Sequence, residues 1–268
     1  MEFFVTSNGI PVHVSEEGKG DKNLLFLHGY LETLYIWKDF GDLLPESFHC
    51  IYIDLPGHGL TGTHPESNDM EFDADVVAGV LDKLSVKSVN IIGHSMGGYV
   101  AQAFLKKYPE RVLSLIHFNS NVHADLPEKK NQRLKEIEFI KNGKLISLAQ
   151  IAVPNMYSKT NLRNCDDKIQ ETIEICEMHD PSGIAATVRG LMTRPDNLEF
   201  LKTVKVPLLF IFGTADTYTD KTSADAILSA LPNAEGCFIT NTGHNSFIEN
   251  PSEVLTVFLD FLNKNHLV

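Results

Sequence analysis

The sequence predicts an α/β fold: a mostly parallel eight-stranded sheet with helices on both faces and a block of helices inserted late in the strand order. Three observations lead there. Short apolar runs alternate with helix-period segments up to Phe118 and again from Val206 onward, the pattern of crossover units in a parallel sheet. Between Asn119 and about Lys202 the alternation stops and only helical periods are found. The run Gly93-His94-Ser95-Met96-Gly97-Gly98 joins a strand-like segment to a helix-like one, where a sharp turn needs its glycines.

Taken in order, residues 3–6 and 12–15 read as strands split by Ser7-Asn8-Gly9, a hairpin signal that predicts an antiparallel pair at one sheet edge. Strands at 24–27 and 49–53 follow, with a helix at about 34–44 between them. Residues 73–84 place Val76, Val77, Val80, Leu81 and Leu84 on one helical face. A strand at 86–92, carrying Val89, Ile91 and Ile92, leads into the glycine-rich turn, a helix at 99–108 and a strand at 112–118. Helical periods then run through Leu134, Ile137 and Ile140, through Ile169, Ile173 and Cys176, and through Ile184, Val188, Leu191 and Met192. Strands at 206–212 and 236–240, a helix at 223–231 and a last helix at 251–263, with Pro251 suited to its first turn, complete the pattern. Residues 1–118 and 203–268 are thus expected to form the core, with 119–202 as an inserted helical cap. No internal repeat is present.

The chain has 268 residues, 23 Lys and Arg against 35 Asp and Glu, and a formal net charge of -12. That balance disfavours nucleic acid and anionic membrane surfaces as partners. The densest basic stretch, residues 128–135, contains acids and reads as a solvated helix face. The N-terminus resembles no secretory leader and no segment reaches membrane-spanning length, so a cytoplasmic protein is expected. Cys50, Cys165, Cys176 and Cys237 lack metal-binding spacing and are expected as reduced thiols, with a Cys165–Cys176 pairing left open. Oligomeric state is not encoded in these features.

A serine hydroxyl becomes a nucleophile at neutral pH only beside a base that a third group orients. Ser95 sits in the G-x-S-x-G turn, Asp216 follows the strand at 206–212, and His244 follows the strand at 236–240. Parallel sheets collect such strand-end loops at one edge. Acyl transfer also needs amide donors for a developing oxyanion. Met96, directly after the serine, and Tyr30, in the His28-Gly29-Tyr30 loop after the strand at 24–27, stand where those donors are needed. For the acid, Asp220 lies four residues beyond Asp216.

Four separated motifs carry a resemblance over nearly the full length: His28-Gly29-Tyr30, Asp54-Leu55-Pro56-Gly57-His58-Gly59, Gly93 to Gly98, and Asp216 with Gly243-His244. Together they make the chain similar to the α/β-hydrolase superfamily. The resemblance implies Ser95 as nucleophile, His244 as base, Asp216 as acid, Tyr30 and Met96 as oxyanion donors, and a cap after the sixth strand. Some relatives carry the acid after that strand, which keeps Asp125 as an alternative. A serine at the elbow sets the chain apart from the epoxide hydrolase and haloalkane dehalogenase relatives, which use aspartate there.

The implied activity is hydrolysis of a small or medium carboxylic ester, or a related acyl bond, through an acyl-enzyme, on a small-molecule substrate and without a metal or organic cofactor. Alternatives are a carbon-carbon hydrolase or elimination catalyst acting on a keto acid, and a slow-turnover ligand receptor. The keto-acid reading requires cationic anchors, for which Arg163, Arg189 and Arg194 are available, although solvated arginines are commoner. Tyr30, His94 and Met96 are expected to touch substrate. His28 and His58 read as scaffold of their turns, and Met156, Tyr157 and Met192 as cap core, with the lining of an apolar pocket as the alternative.

Overall fold

A computed structural model describes residues 1–267. Its strands, β1 (Glu2–Ser7), β2 (Ile10–Glu17), β3 (Lys22–Leu27), β4 (Phe48–Ile53), β5 (Val89–His94), β6 (Val112–Phe118), β7 (Leu208–Gly213) and β8 (Ala234–Ile239), make one eight-stranded sheet in the order 1-2-4-3-5-6-7-8. β1 with β2 and β2 with β4 are antiparallel; every other pairing is parallel. The β1–β2 turn places Asn8 and Gly9 at φ 46 and 81, the two positive values that a tight hairpin requires.

Helices cover both faces, so the central parallel strands are apolar at nearly every position rather than alternately. On one face α2 (Met70–Lys83), α3 (Met96–Lys107) and α9 (Lys221–Ala230) bury Val76, Val80, Val100, Phe104 and Ile227 against β3, β5 and β7. On the other, α1 (Lys38–Gly41), α10 (Ser246–Glu249) and α11 (Pro251–Lys264) bring Phe40, Phe247, Val254 and Phe258 together with Trp37 and Phe118. α2 begins before the expected position because Asp69 caps it, accepting from Phe72 N–H at 2.8 Å. The helix expected over 34–44 divides into a 3₁₀ turn (Leu34–Trp37) and the four-residue α1. Gly41, a poor helix former, ends it against Tyr52, whose Oη lies 2.2 Å from where a Cβ would stand.

Between β6 and β7 the described residues form α4 (Pro127–Lys141), α5 (Leu145–Ala152), a 3₁₀ turn (Pro154–Met156), α6 (Asp166–Met178), α7 (Pro181–Thr193) and α8 (Leu198–Leu201), with no strand. Their shared apolar cluster contains Ile137, Ile140, Ile169, Ile173, Cys176, Ile184 and Val188, and Leu31 from the loop after β3 reaches into it. Leu134, grouped with Ile137 and Ile140 by periodicity, is instead exposed. Leu191 leaves that cluster for the sheet core. All four cysteines are free. No helix among the described residues is long and apolar enough to cross a membrane.

Candidate active site

β5 runs into the turn at Ser95, whose backbone sits at φ 48 and ψ -112, a region that side-chain-bearing residues avoid. The turn is fastened on all sides: Ser95 N–H donates to Phe118 O at 3.0 Å, and Ser95 O accepts from Gly98 N–H at 3.0 Å and Ser120 Oγ at 2.7 Å. A Cβ at Gly93 would stand 2.5 Å from Gly98 N, so this glycine serves the turn itself, as expected. Gly97 serves another contact: its Cβ would fall 2.1 Å from Leu27 O at the end of β3. Gly98 brings α3 onto Ser120, after β6, rather than onto the strand that precedes the turn.

His244 lies beyond β8, and its Nδ1 is 2.8 Å from Asp216 Oδ2, beyond β7. A carboxylate only accepts, so Nδ1 carries a proton, and among the described residues no hydrogen bond engages Nε2. Asp216 also accepts from Asn119 Nδ2 at 3.1 Å and from the amides of Tyr218 and Thr219 at 2.8 and 3.1 Å. Burial opposes its ionisation, but His244 and these donors outweigh burial and hold the carboxyl below its usual range. The backbone N–H of His244 donates to Met156 O at 2.7 Å, tying this loop to the helical stretch after β6.

Ser95, Met96, Tyr30 and His244 line one cavity of about 1190 Å³. Among the described residues no acceptor engages the backbone amides of Tyr30 and Met96. The Tyr30 phenol faces Glu136 across the cavity wall, and burial together with that carboxylate raises its pKa well above the usual value. Asp125, the alternative acid, is held between two guanidinium groups, 2.7 Å from both Arg133 Nε and Arg194 Nη1. Asp220 caps α9 through Ser223 N–H. Of the three arginines considered as anchors, Arg163 is exposed, Arg189 donates to Glu66 O, and only Arg194 lines the cavity.

The structure corrects one expectation. His94, named as a candidate substrate contact, is buried away from the cavity because both ring nitrogens are engaged, Nδ1 with Glu32 and Nε2 with the His244 carbonyl. Asn119 was missed by sequence reasoning. It stands at φ 49 directly after β6, donates to Asp216 and to Gly243 O, and accepts from Ser246 Oγ. Its signal was an amide residue, tolerant of positive φ, at the end of a strand that neighbours the strand leading to the acid.

The loop carrying Tyr30 rests on three neutral imidazoles. His28 accepts from Leu55 N–H at 2.9 Å and donates to Gly29 O at 2.8 Å. His58 accepts from Leu31 N–H at 3.3 Å, and His179 accepts from Gly59 N–H at 3.0 Å and donates to Leu31 O at 3.4 Å. Leu31 itself sits at φ 66. Burial lowers the pKa of all three, that of His58 well below its usual value and that of His179 to about 4. Among the described residues no group of three or more His, Cys, Asp or Glu could hold a metal ion.

These imidazoles have folded-state pKa values below the unfolded one, so the unfolded chain takes up protons first, and stability falls as pH drops below about 6.5. His179→Gln, which can accept from Gly59 and donate to Leu31, removes one such group. In urea unfolding it is expected to lose about 2 kcal/mol less than the native protein between pH 7.5 and pH 5; equal losses would contradict the assignment of a neutral His179.

Comparison with known proteins places this chain in a family. A family model described as alpha/beta hydrolase fold matches residues 22–251. Monoacylglycerol lipase ABHD6 from Bos taurus is 25% identical over 257 residues, covering 91% of this chain and 76% of its own. A 2-hydroxy-6-oxononadienedioate/2-hydroxy-6-oxononatrienedioate hydrolase from Paraburkholderia phymatum is 24% identical, covering 94% and 91%. The solved structure of a thermophilic esterase from Thermogutta terrifontis superposes with a TM-score of 0.93 at 27% identity, covering 99% of both chains. The family match spans most of the chain and the sheet order agrees with it: the protein belongs to the α/β-hydrolase fold family and is a hydrolase.

Proposed function

We propose that the protein is a serine hydrolase that cleaves a carboxylic ester or related acyl bond of a small molecule. One observation carries the reading: Asp216 fixes His244 with Nε2 free to accept, and His244 shares a single cavity with Ser95 and the unengaged amides of Tyr30 and Met96. Ser95 Oγ attacks the substrate carbonyl while His244 Nε2 takes its proton. The tetrahedral oxyanion accepts from the Tyr30 and Met96 amides, the second at the positive end of α3. His244 returns the proton to the departing alcohol, leaving an acyl-enzyme that water hydrolyses by the same route. Asp216 keeps the imidazole oriented and stabilises its charged form.

Residues 119–202 act in this reading as the cap that selects the substrate. They give the cavity an apolar wall including Leu126, Phe139, Leu148, Ile151 and Met156, of which Leu126 and Ile151 remain exposed. Such a wall suits an aliphatic acyl or alkyl chain. The lipase and esterase names of relatives point the same way. A keto acid, as in the carbon-carbon hydrolase relative, needs a cation for its carboxylate. Arg133 and Arg194 do line the cavity, but Asp125 already engages both; Lys129 and Lys135 line it without an ion pair among the described residues, so it is the apolar wall that favours the ester reading.

Two measurements test the reading. A fluorophosphonate probe followed by intact mass should add one phosphonyl group to the native chain and none to Ser95→Ala; no adduct on the native chain would remove the active serine, and leave a ligand receptor as the better account. Asp216→Asn should lower turnover of a nitrophenyl ester by about 10³- to 10⁴-fold in a protein that remains folded. Near-native turnover would move the acid role elsewhere.

A further inference from the structure

Glu32 lies two residues beyond Tyr30, and its side chain is fully buried. One carboxylate oxygen, Oε2, accepts from Gly29 N–H at 2.7 Å and stands 2.7 Å from His94 Nδ1. The other ring nitrogen of His94, Nε2, is 3.0 Å from the backbone carbonyl of His244. A carbonyl oxygen accepts only, so Nε2 must carry a proton. Oε2 already receives one amide proton, and a carboxylate there requires Nδ1 to carry a proton as well. His94 therefore differs from its neighbours: His28 and His179 each face one donor and one acceptor, whereas His94 faces acceptors at both nitrogens.

We propose that Glu32 and His94 form a buried carboxylate–imidazolium pair that positions the catalytic loops, joining the oxyanion loop, the elbow and the His244 loop through two side chains. The proposal rests on the reading of Ser95 and His244 given above. Both members are positioning residues, acting through Gly29 and through the His244 carbonyl. Space at the junction is minimal: a Cβ on Gly29 would lie 2.7 Å from His94 Nδ1 and 2.8 Å from Glu32 Oε2. Trp37 and Phe247 close over the His94 ring, with centroids at 6.3 and 5.1 Å. The ionisable groups facing it are Glu32, His28 and His244, whose ring centroid is 5.0 Å away and whose far side is covered by Asp216. Burial pushes the Glu32 carboxyl up, but His94 and the Gly29 amide outweigh burial and hold it below its usual range, which agrees with an ionised pair.

Removing only the charge of Glu32 leaves His94 two states, and both harm the chemistry. A lone imidazolium would oppose the charge that His244 acquires in the transition state. A neutral ring keeps its Nε2 proton on the His244 carbonyl and presents a lone pair at Nδ1. No single amide atom of the glutamine can both donate to that lone pair and accept from Gly29 N–H, so the loop carrying Tyr30 is released. Neither effect acts through the substrate-binding wall, so turnover suffers rather than affinity, and a misplacement of about 1 Å is enough for a loss near 10²-fold.

The test is nitrogen-detected NMR of histidine-labelled protein, with His94→Gln for assignment, alongside nitrophenyl ester kinetics of Glu32→Gln, His94→Gln and the double variant. The expected result is a His94 ring with both nitrogens of protonated type at pH 7 in the native protein. Glu32→Gln should lower kcat by about 10- to 100-fold with KM within about 2-fold, and the double variant should be no slower than the slower single one. A neutral His94 at pH 7, an unchanged kcat in Glu32→Gln, or losses that multiply in the double variant would each overturn the proposal. If the native protein neither labels with fluorophosphonate nor turns over ester, the hydrolase reading fails instead, and the NMR signals still decide the pair.

Discussion

The strained backbone of Ser95 is the constraint around which the other parts are arranged. Holding a side-chain-bearing residue at φ 48 and ψ -112 costs about 1–3 kcal/mol, and such strain persists only where the surroundings over-determine it. Here they do. Phe118 O, Gly98 N–H and Ser120 Oγ fasten the turn from β6 and α3, and Gly97 lets the end of β3 approach within a distance that no Cβ would tolerate. One sharp turn thereby brings the serine, the start of α3 and the β3 loop to the same place. The cavity and the loops that line it follow from that convergence.

The histidines around this turn divide by protonation rather than by position. Those under the loop that carries Tyr30 must stay neutral, since each accepts a backbone N–H that a proton would displace. His244 has one nitrogen committed to Asp216 and the other free to move a proton. His94, between acceptors at both nitrogens, is the ring proposed to be charged. In the proposed hydrolase such a site separates holding from reacting: the proton that moves belongs to His244 alone, and the other imidazoles keep its loop and the neighbouring amides in register.

Much of the fold was legible because parallel strands buried on both faces leave uninterrupted apolar runs, as in the fully buried β5 and β7. The loops holding Tyr30, Ser95 and Asp216 were legible because each follows such a run, whereas His244 follows the half-exposed edge strand β8 and was legible only as the histidine after the last strand. Periodicity failed where tertiary contacts decide. Leu134 fits the helical period but faces solvent, and the helix expected over 34–44 breaks at Gly41 beside Tyr52. His94 was misread because its neighbour in sequence, Ser95, faces the cavity while its own ring points into the protein. Glu32 gave no local signal, and that of Asn119, an amide residue at a strand end, pointed to no partner. Their partners are 97 and 62 residues away along the chain, and only the folded sheet edge brings them together.

The central claim is that the loops after β3, β5, β7 and β8 build one acyl-transfer site around Ser95. A crystal structure of the phosphonylated protein tests it most directly, since the tetrahedral adduct imitates the charged intermediate. The account predicts phosphorus on Ser95 Oγ, with the phosphonyl oxygen within about 3.1 Å of both the Tyr30 and Met96 amides. An adduct whose oxygen turns away from those amides, or phosphonylation at another residue, would contradict it.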